Sequence, residues 1–348
     1  MAFKKITLIA LPSIIISSIT ALILAFLNFG VWSIIVLQLL AQVINTLFFW
    51  FFSSWKPKFE FSIPKFKFHF KFGYNLMLST ILNSIFNEFY SLLIGKKFSV
   101  AVLGFYSRAK TFNQLPNGII SNVISTVTYP LLSKISNDRE QISKIYQSIL
   151  RSIFFGITPL MLTLFIVSEP LFMFLFGEKW LPAVPYFQIL TLSGILTPIH
   201  NFNLNVFKVY GRSDLILKLS IVKKGIILIV AFVGIVWGMY PLLWAMVLSS
   251  YVGLIVNTYY SGELINYTTV NQMLDMLPTL LTGLFSAGIG FYILDYLESL
   301  YLIIQVLIVS IIVPIIYIGL NRLIRNKSYN DFIKNSKIFF NESGLLKK

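Results

Sequence analysis

Apolar runs of about twenty residues recur from one end of this chain to the other, separated by short basic gaps. A helix rises about 1.5 Å per residue and a bilayer's hydrocarbon core is about 30 Å thick, so a run of about 20 apolar residues is long enough to cross it. Ten such runs can be drawn, at roughly 7–27, 31–53, 74–94, 112–132, 152–174, 184–207, 215–236, 241–261, 274–294 and 300–320. In lipid a backbone N–H or C=O has no water to turn to, so each run is predicted to be a helix. The fourth and sixth runs hold several polar residues. Only 12% of residues are charged, against about 25% in soluble domains, which excludes an ordinary soluble fold. The expected class is an all-α polytopic membrane protein with about ten transmembrane helices.

The first run follows a basic start, as a signal peptide does. It extends from Ile6 to Leu27, longer than a signal's apolar region, and no small-residue cleavage site follows. It is read as a first span. Orientation follows from Lys and Arg, which accumulate in cytoplasmic loops. Alternate loops hold 23 of these residues on one side and 5 on the other. Both termini are therefore expected in the cytoplasm. Four of the five outside charges fall in "GKKFSVAVLGFYSRAKTF", residues 95–112, which is then an external loop. The net charge of +15 does not suggest nucleic acid, because the basic residues lie in gaps between spans rather than on a soluble domain.

The longest polar gap is "SWKPKFEFSIPKFKFHFKFG", residues 54–73. Its phenylalanines alternate with polar residues on both sides of Pro64. Period two suits an extended segment with one greasy face, and a short interfacial helix starting at Pro64 is the rival reading. In either form the rings would sit at the bilayer boundary and the lysines on anionic headgroups. The tail after Leu320 is polar and basic, a short surface helix or a disordered end.

An ionisable group inside a span costs about 2.5–3.5 kcal/mol, so such groups mark cavities or partners. The third span holds Asn83 and Asn87 on one face and Glu88 beside them. Glu88 is either a cavity carboxylate able to take up a proton or an interface residue paired with Lys96 or Lys97. The fourth span opens with Arg108, Lys110, Asn113, Gln114 and Asn117. That polarity is too high for a lipid-facing surface, so this half is expected to face protein or a water-filled cavity. The planar fork of Arg108 suits phosphate, with Lys110 adding charge; the competing reading has both snorkelling to headgroups. The sixth span carries His200, Asn201, Asn203 and Asn205 after Pro198, which can kink it. Asn201 and Asn205 share a face and form a second cavity candidate. His200 is a hydrogen-bonded packing residue or a proton relay. Lys223 and Lys224 imply that the seventh span starts late, near Gly225, or that one of them faces a cavity.

Enzyme signatures are absent from the sequence. There is no cysteine, the two histidines lie far apart, and no phosphate-cradling glycine loop or acidic metal pair is present, so neither cofactor nor metal is expected. The loops on the outer side are short, which argues against a membrane glycan polymerase or acyltransferase and for moving a substrate rather than transforming it. A cavity whose outer-half charge is net positive favours an anionic substrate over the organic cations of a drug exporter.

"LGFYSRAKTFNQLPNGIISNVISTVTYPLLSKI", residues 103–135, resembles a segment of Wzx-type polysaccharide flippases, in which an LG-x-Y-S-x-A turn leads through a proline to P-L-S. "FLNFGVWSIIVLQLL" at 26–40, "LFGEKWLPAVPYFQIL" at 175–190 and "VYGRSDLILKL" at 209–219 are similar to the same branch of the multidrug/oligosaccharidyl-lipid/polysaccharide transporter superfamily. The resemblance implies two six-helix lobes around a central cavity. Residues 1–53 would then be a remnant of the first lobe, lacking about four N-terminal spans. Residues 54–73 would be a cytoplasmic inter-lobe linker, 74–261 a complete second lobe, 262–320 two accessory spans and 321–348 a basic tail. The function it implies is flipping an undecaprenyl-pyrophosphate-linked oligosaccharide across a bacterial cytoplasmic membrane, among membrane lipids and in company with a glycan polymerase and glycosyltransferases. Arg108 and Lys110 would meet the pyrophosphate. Asn83, Asn87, Asn113, Gln114, Asn201 and Asn205 would meet sugar hydroxyls, and Glu88 or His200 would couple the cycle to an ion. Without its first four spans the chain could also be an inactive remnant.

Overall fold

The computed structural model describes residues 3–52, 60–135 and 138–342. Among these, every regular element is helical. In chain order they are α1 (Phe3–Phe26), α2 (Val31–Phe52), α3 (Ile63–Lys97), α4 (Val100–Lys134), α5 (Arg139–Ile166), α6 (Ser168–Phe176), a 3-10 turn (Glu178–Ala183), α7 (Val184–Gly194), α8 (Thr197–Val209), α9 (Ser213–Trp237), α10 (Met239–Ile265), α11 (Thr269–Tyr296), α12 (Leu302–Leu323) and α13 (Lys327–Glu342). Six of them (α2, α5, α9, α10, α11 and α12) are long and apolar enough to cross a bilayer. The other four expected spans coincide with α1, with α3 and α4, which are long but more polar, and with the broken pair α7–α8. Large apolar side chains such as Phe232, Leu248, Leu281 and Ile311 point outward, as lipid rather than water requires. The chain is a multi-pass membrane protein.

It divides into two compact units, Met1–Phe66 and Lys67–Lys348. In the first, α1 packs on α2. The buried positions of α1 are Ser13, Ser17 and Ala21, small residues four apart that let two backbones approach closely. In the second, α5 is the hub. Its Leu150, Ile157 and Met161 are buried in a cluster with residues of α8, α11 and α12. A second cluster joins Ile94 of α3 and Tyr106 of α4 to Phe172, Phe187 and Leu242 of α6, α7 and α10. At one end of α5, Arg151 donates to Asp275 of α11 at 3.0 Å and to Asp331 of α13 at 2.6 Å. Tyr267, in the turn between α10 and α11, hydrogen-bonds to Asp275; burial and that bond push its phenol well above the ordinary value, so it stays a donor.

The structure bears on four local expectations. The stretch 95–112 is mostly helix, with a tight corner at residues 98–99 where a longer loop was expected. α3 ends at Lys97, and Ser99 caps α4 by accepting a hydrogen bond from the Val102 N–H at 3.2 Å. A Cβ on Gly95 would come within 2.9 Å of Leu103, so the corner has no room for more chain. Arg108 and Lys110 consequently lie inside a helix. Over the second half of the gap 54–73 the helical alternative holds rather than the extended one, as part of a long helix. α3 starts at Ile63 with Pro64 in its first turn, where a proline's missing N–H does no harm, and continues unbroken into the span. Residues 53–59 lie outside the described residues. α9 begins at Ser213, so both Lys223 and Lys224 sit within the helix, Lys223 half-buried and Lys224 buried. The sixth span is broken near Pro198: a turn at Ile195 and Leu196, both still with right-handed helical backbone angles, separates α7 from α8, and Pro198 lies in the first turn of α8.

Candidate functional site: the polar faces of α3 and α4

On α3, Thr80, Asn83, Ser84 and Glu88 are all exposed and recur at helical spacing. On α4, Thr111, Gln114 and Asn122 are exposed and Ser125 is half-buried, again at intervals that keep them on one side of the helix. Asn87 lies on the same face of α3, with its side chain outside the described residues. A run of amides, hydroxyls and a carboxylate along a membrane-spanning helix is incompatible with lipid contact. Each of these faces therefore calls for a partner more polar than lipid. Among the described residues Glu88 makes no ion pair, so the expected pairing with Lys96 or Lys97 is not formed. Along its own helix, Glu88 lies nine residues, about 14 Å, before the end of α3 at Lys97, and Arg108 lies eight residues, about 12 Å, after the start of α4 at Val100.

Arg108 is exposed and stacked. Its guanidinium carbon lies 4.9 Å from the centre of the Phe176 ring and 4.8 Å from that of Trp180. Phe105 meets Trp180 edge-on at 6.0 Å, and Phe112 meets Phe172, Phe176 and Phe187 at 5.6–5.8 Å. The rings hold the guanidinium plane and leave its edge donors available, an arrangement suited to a phosphate-like anion. Lys110, two residues on, is half-buried on the other side of the helix from Arg108.

The other asparagines are placed differently from the cavity expected of them. Asn113 and Asn117 are buried and lie against Gly194 of α7, where a Cβ would come within 2.9 Å of both amide nitrogens. Asn201 donates to Ser121 at 2.9 Å and Asn205 to Thr128 at 2.9 Å. Asn113, Asn201 and Asn205 thus belong to a seam that holds α4 against α7 and α8. A buried amide needs hydrogen-bond partners; α4 supplies them to Asn201 and Asn205, while the Asn113 side-chain oxygen accepts from Asn117 Nδ2 of the same helix at 3.2 Å.

His200 sits in a third environment. One ring nitrogen faces Ser250 Oγ at 3.2 Å and the other the Asn257 amide at 3.1 Å, so α8 is tied to α10. Lys223 approaches the same place, since a Cβ on Gly253 would lie 3.7 Å from its Cε and 3.8 Å from the His200 ring. Lys224 is buried, with its ammonium 5.4 Å from the centre of the Phe86 ring on α3. Of the residues singled out in the sequence, Asn83, Glu88, Arg108 and Gln114 lie on exposed surface of α3 and α4. Thr80, Ser84, Thr111, Asn122 and Ser125 join them without having been singled out, and their signal is spacing rather than polarity.

The family model described as polysaccharide biosynthesis protein matches residues 1–185, more than half of the chain. A succinoglycan biosynthesis transport protein, ExoT, from Rhizobium meliloti is 28% identical over 203 residues, covering 58% of this chain and 41% of the relative. A teichuronic acid biosynthesis protein, TuaB, from Bacillus subtilis is 27% identical over 215 residues, covering 61% and 44%. The chain thus spans less than half the length of these curated relatives. Among solved structures, the lipid II flippase MurJ in an inward closed conformation superposes with a TM-score of 0.58 at 20% identity, covering 90% of this chain and 67% of that one, so the two share a fold. The chain belongs to the polysaccharide biosynthesis protein family.

Proposed function

We propose that this chain takes part in moving an undecaprenyl-pyrophosphate-linked oligosaccharide from the cytoplasmic to the external leaflet of a bacterial cytoplasmic membrane. The observation that carries the reading is the pair of free polar faces on α3 and α4 with a ring-stacked Arg108 between them and their corner. Neutral amides and hydroxyls match sugar hydroxyls without binding them too tightly to release, and Arg108, with Lys110 nearby, matches the pyrophosphate. The polyprenyl tail stays in lipid beside apolar positions such as Leu115 and Ile119 of the same helix. The family and the printed roles of the relatives agree with this substrate class.

In this reading residues 1–53 are two spans remaining of the first lobe, 54–73 the linker, 74–261 a six-span second lobe and 262–320 two accessory spans, and both termini lie in the cytoplasm. Transport proceeds by rocking one lobe against the other. Glu88 on the free face and His200 in the enclosed cluster are the groups that would couple the cycle to an ion. Glycosyltransferases would supply the substrate and a glycan polymerase would consume it. The test is restoration of surface glycan in a host deleted for its own flippase. Rescue by the wild-type chain and not by Arg108→Ala, at equal membrane abundance, supports the proposal. Rescue of a polymerase deletion instead would overturn it.

A further inference from the structure

The end of α12 and the helix after it carry cations on one side only. α12 is the most apolar span, with a mean hydropathy of 2.7, and it ends at Leu323. Arg325 takes a left-handed φ of 53°, the chain turns, and α13 begins at Lys327. The start of α13 is therefore held within about one helical turn's length of the bilayer boundary. One face of α13 is seated on α5. Asp331 accepts from Arg151, Asn335 donates to Ser148 Oγ at 3.1 Å and Ser152 Oγ at 2.8 Å, and the Phe332 ring lies 5.2 Å from that of Phe155.

The opposite face presents Lys327, Asn330, Lys334 and Lys337, at intervals of three, four and three residues, all exposed. Arg322 and Arg325 are exposed just before it, beside Leu323 and Ile324, which are 79% and 52% exposed. Among the described residues none of these five cations makes an ion pair.

We propose that this face of α13 is a docking surface for the headgroups of anionic phospholipids. The lysines meet the phosphodiester charges, and Leu323, Ile324 and Ile333 enter the apolar boundary beneath them. A dissolved polyanion fits less well. It would leave the exposed apolar side chains uncovered, and the end of α12 fixes the cations at headgroup height. The inference does not rest on the translocation reading, since it concerns a face of the molecule that the polar faces of α3 and α4 do not include.

The chain has no cysteine, so Asn330→Cys gives a single reporter on the cationic face. The full-length variant is placed in nanodiscs of phosphatidylcholine alone or mixed with phosphatidylglycerol, and its reaction with an uncharged, polar maleimide is timed. The expected result is labelling several-fold slower in the anionic discs, with the difference abolished by high salt and by adding Lys327→Gln, Lys334→Gln and Lys337→Gln. A separate Ser152→Cys, Asn335→Cys pair reports by crosslinking that α13 remains seated on α5. Equal labelling rates in neutral and anionic discs overturn the proposal, and that comparison needs no charge variant to fold. Slow labelling that survives removal of the lysines in a still-seated helix overturns it as well.

Discussion

Stacking on two rings makes the role of Arg108 measurable by a double-mutant cycle with Trp180. The guanidinium is exposed and lies 4.9 Å and 4.8 Å from the ring centres of Phe176 and Trp180. A cation–π contact at an exposed site is worth about 0.5–1 kcal/mol. Trp180→Leu removes one of the two contacts and leaves the charge in place. The expected loss in apparent substrate affinity is therefore about two- to fivefold. Arg108→Ala removes the charge-assisted hydrogen bonds to the anion, worth about 1.5–3 kcal/mol, or roughly 10- to 150-fold. Arg108→Lys keeps the charge without the planar fork and falls between. In the Arg108→Ala background, Trp180→Leu should have no further effect, so the coupling energy equals the whole of the single Trp180 effect. The assay is translocation of a fluorescent polyprenyl-pyrophosphate glycan in proteoliposomes over a range of substrate concentrations. Equal losses from Trp180→Leu in both backgrounds would show that the tryptophan acts through packing. Unchanged affinity in Arg108→Ala would remove the anion site altogether.

Asn205→Ala deletes the 2.9 Å bond to Thr128 in the α4–α8 seam and should lower stability by about 0.6–1.7 kcal/mol, seen as a lower melting temperature in detergent, while transport per folded molecule is retained. Gln114→Leu and Asn122→Leu on the exposed face should do the reverse: stability within about 0.5 kcal/mol of wild type and a clear fall in transport. Gly290→Ala would drive a Cβ into Val313 Cγ2 and to within 3.0 Å of Ile166 Cδ1, so it should destabilise by about 1–3 kcal/mol despite the better helix former, and adding Val313→Ala should recover most of the loss in the same melt.

The spans could be read from the sequence because lipid imposes a length and a polarity that no tertiary contact can relax. The break at Pro198 was legible for a similar reason, since proline lacks the donor a continuous helix needs. The corner at Lys97–Val100 was not. The gap between apolar runs suggested a loop over residues 95–112, but Ser99 caps α4 and Gly95 lets Leu103 close the turn, effects of a few atoms that a count of apolar residues does not register. The two readings of Lys223 and Lys224 could not be separated from the sequence, because the Phe86 ring that meets Lys224 comes from a helix more than a hundred residues away.

The asparagines mark the limit most clearly. Polarity within a span says that a residue must be satisfied, but not by what. Asn201 finds Ser121 eighty residues away and Asn205 finds Thr128, and neither partner can be picked from spacing alone. α4 in fact carries two polar faces. One, through Asn113, Asn117, Ser121 and Thr128, is buried against α7 and α8. The other, through Thr111, Gln114, Asn122 and Ser125, is turned outward from that seam and stays open. A span that needed only to be held in place would carry the first face and turn lipid-compatible residues outward on the second, as α9 does with Ile221, Leu228 and Phe232. Keeping amides and hydroxyls there imposes an insertion penalty that packing within this unit does nothing to offset. The open face of α4 therefore calls for a polar partner, and with Arg108 stacked near its head it fits the proposed substrate, which carries both hydroxyls and an anion.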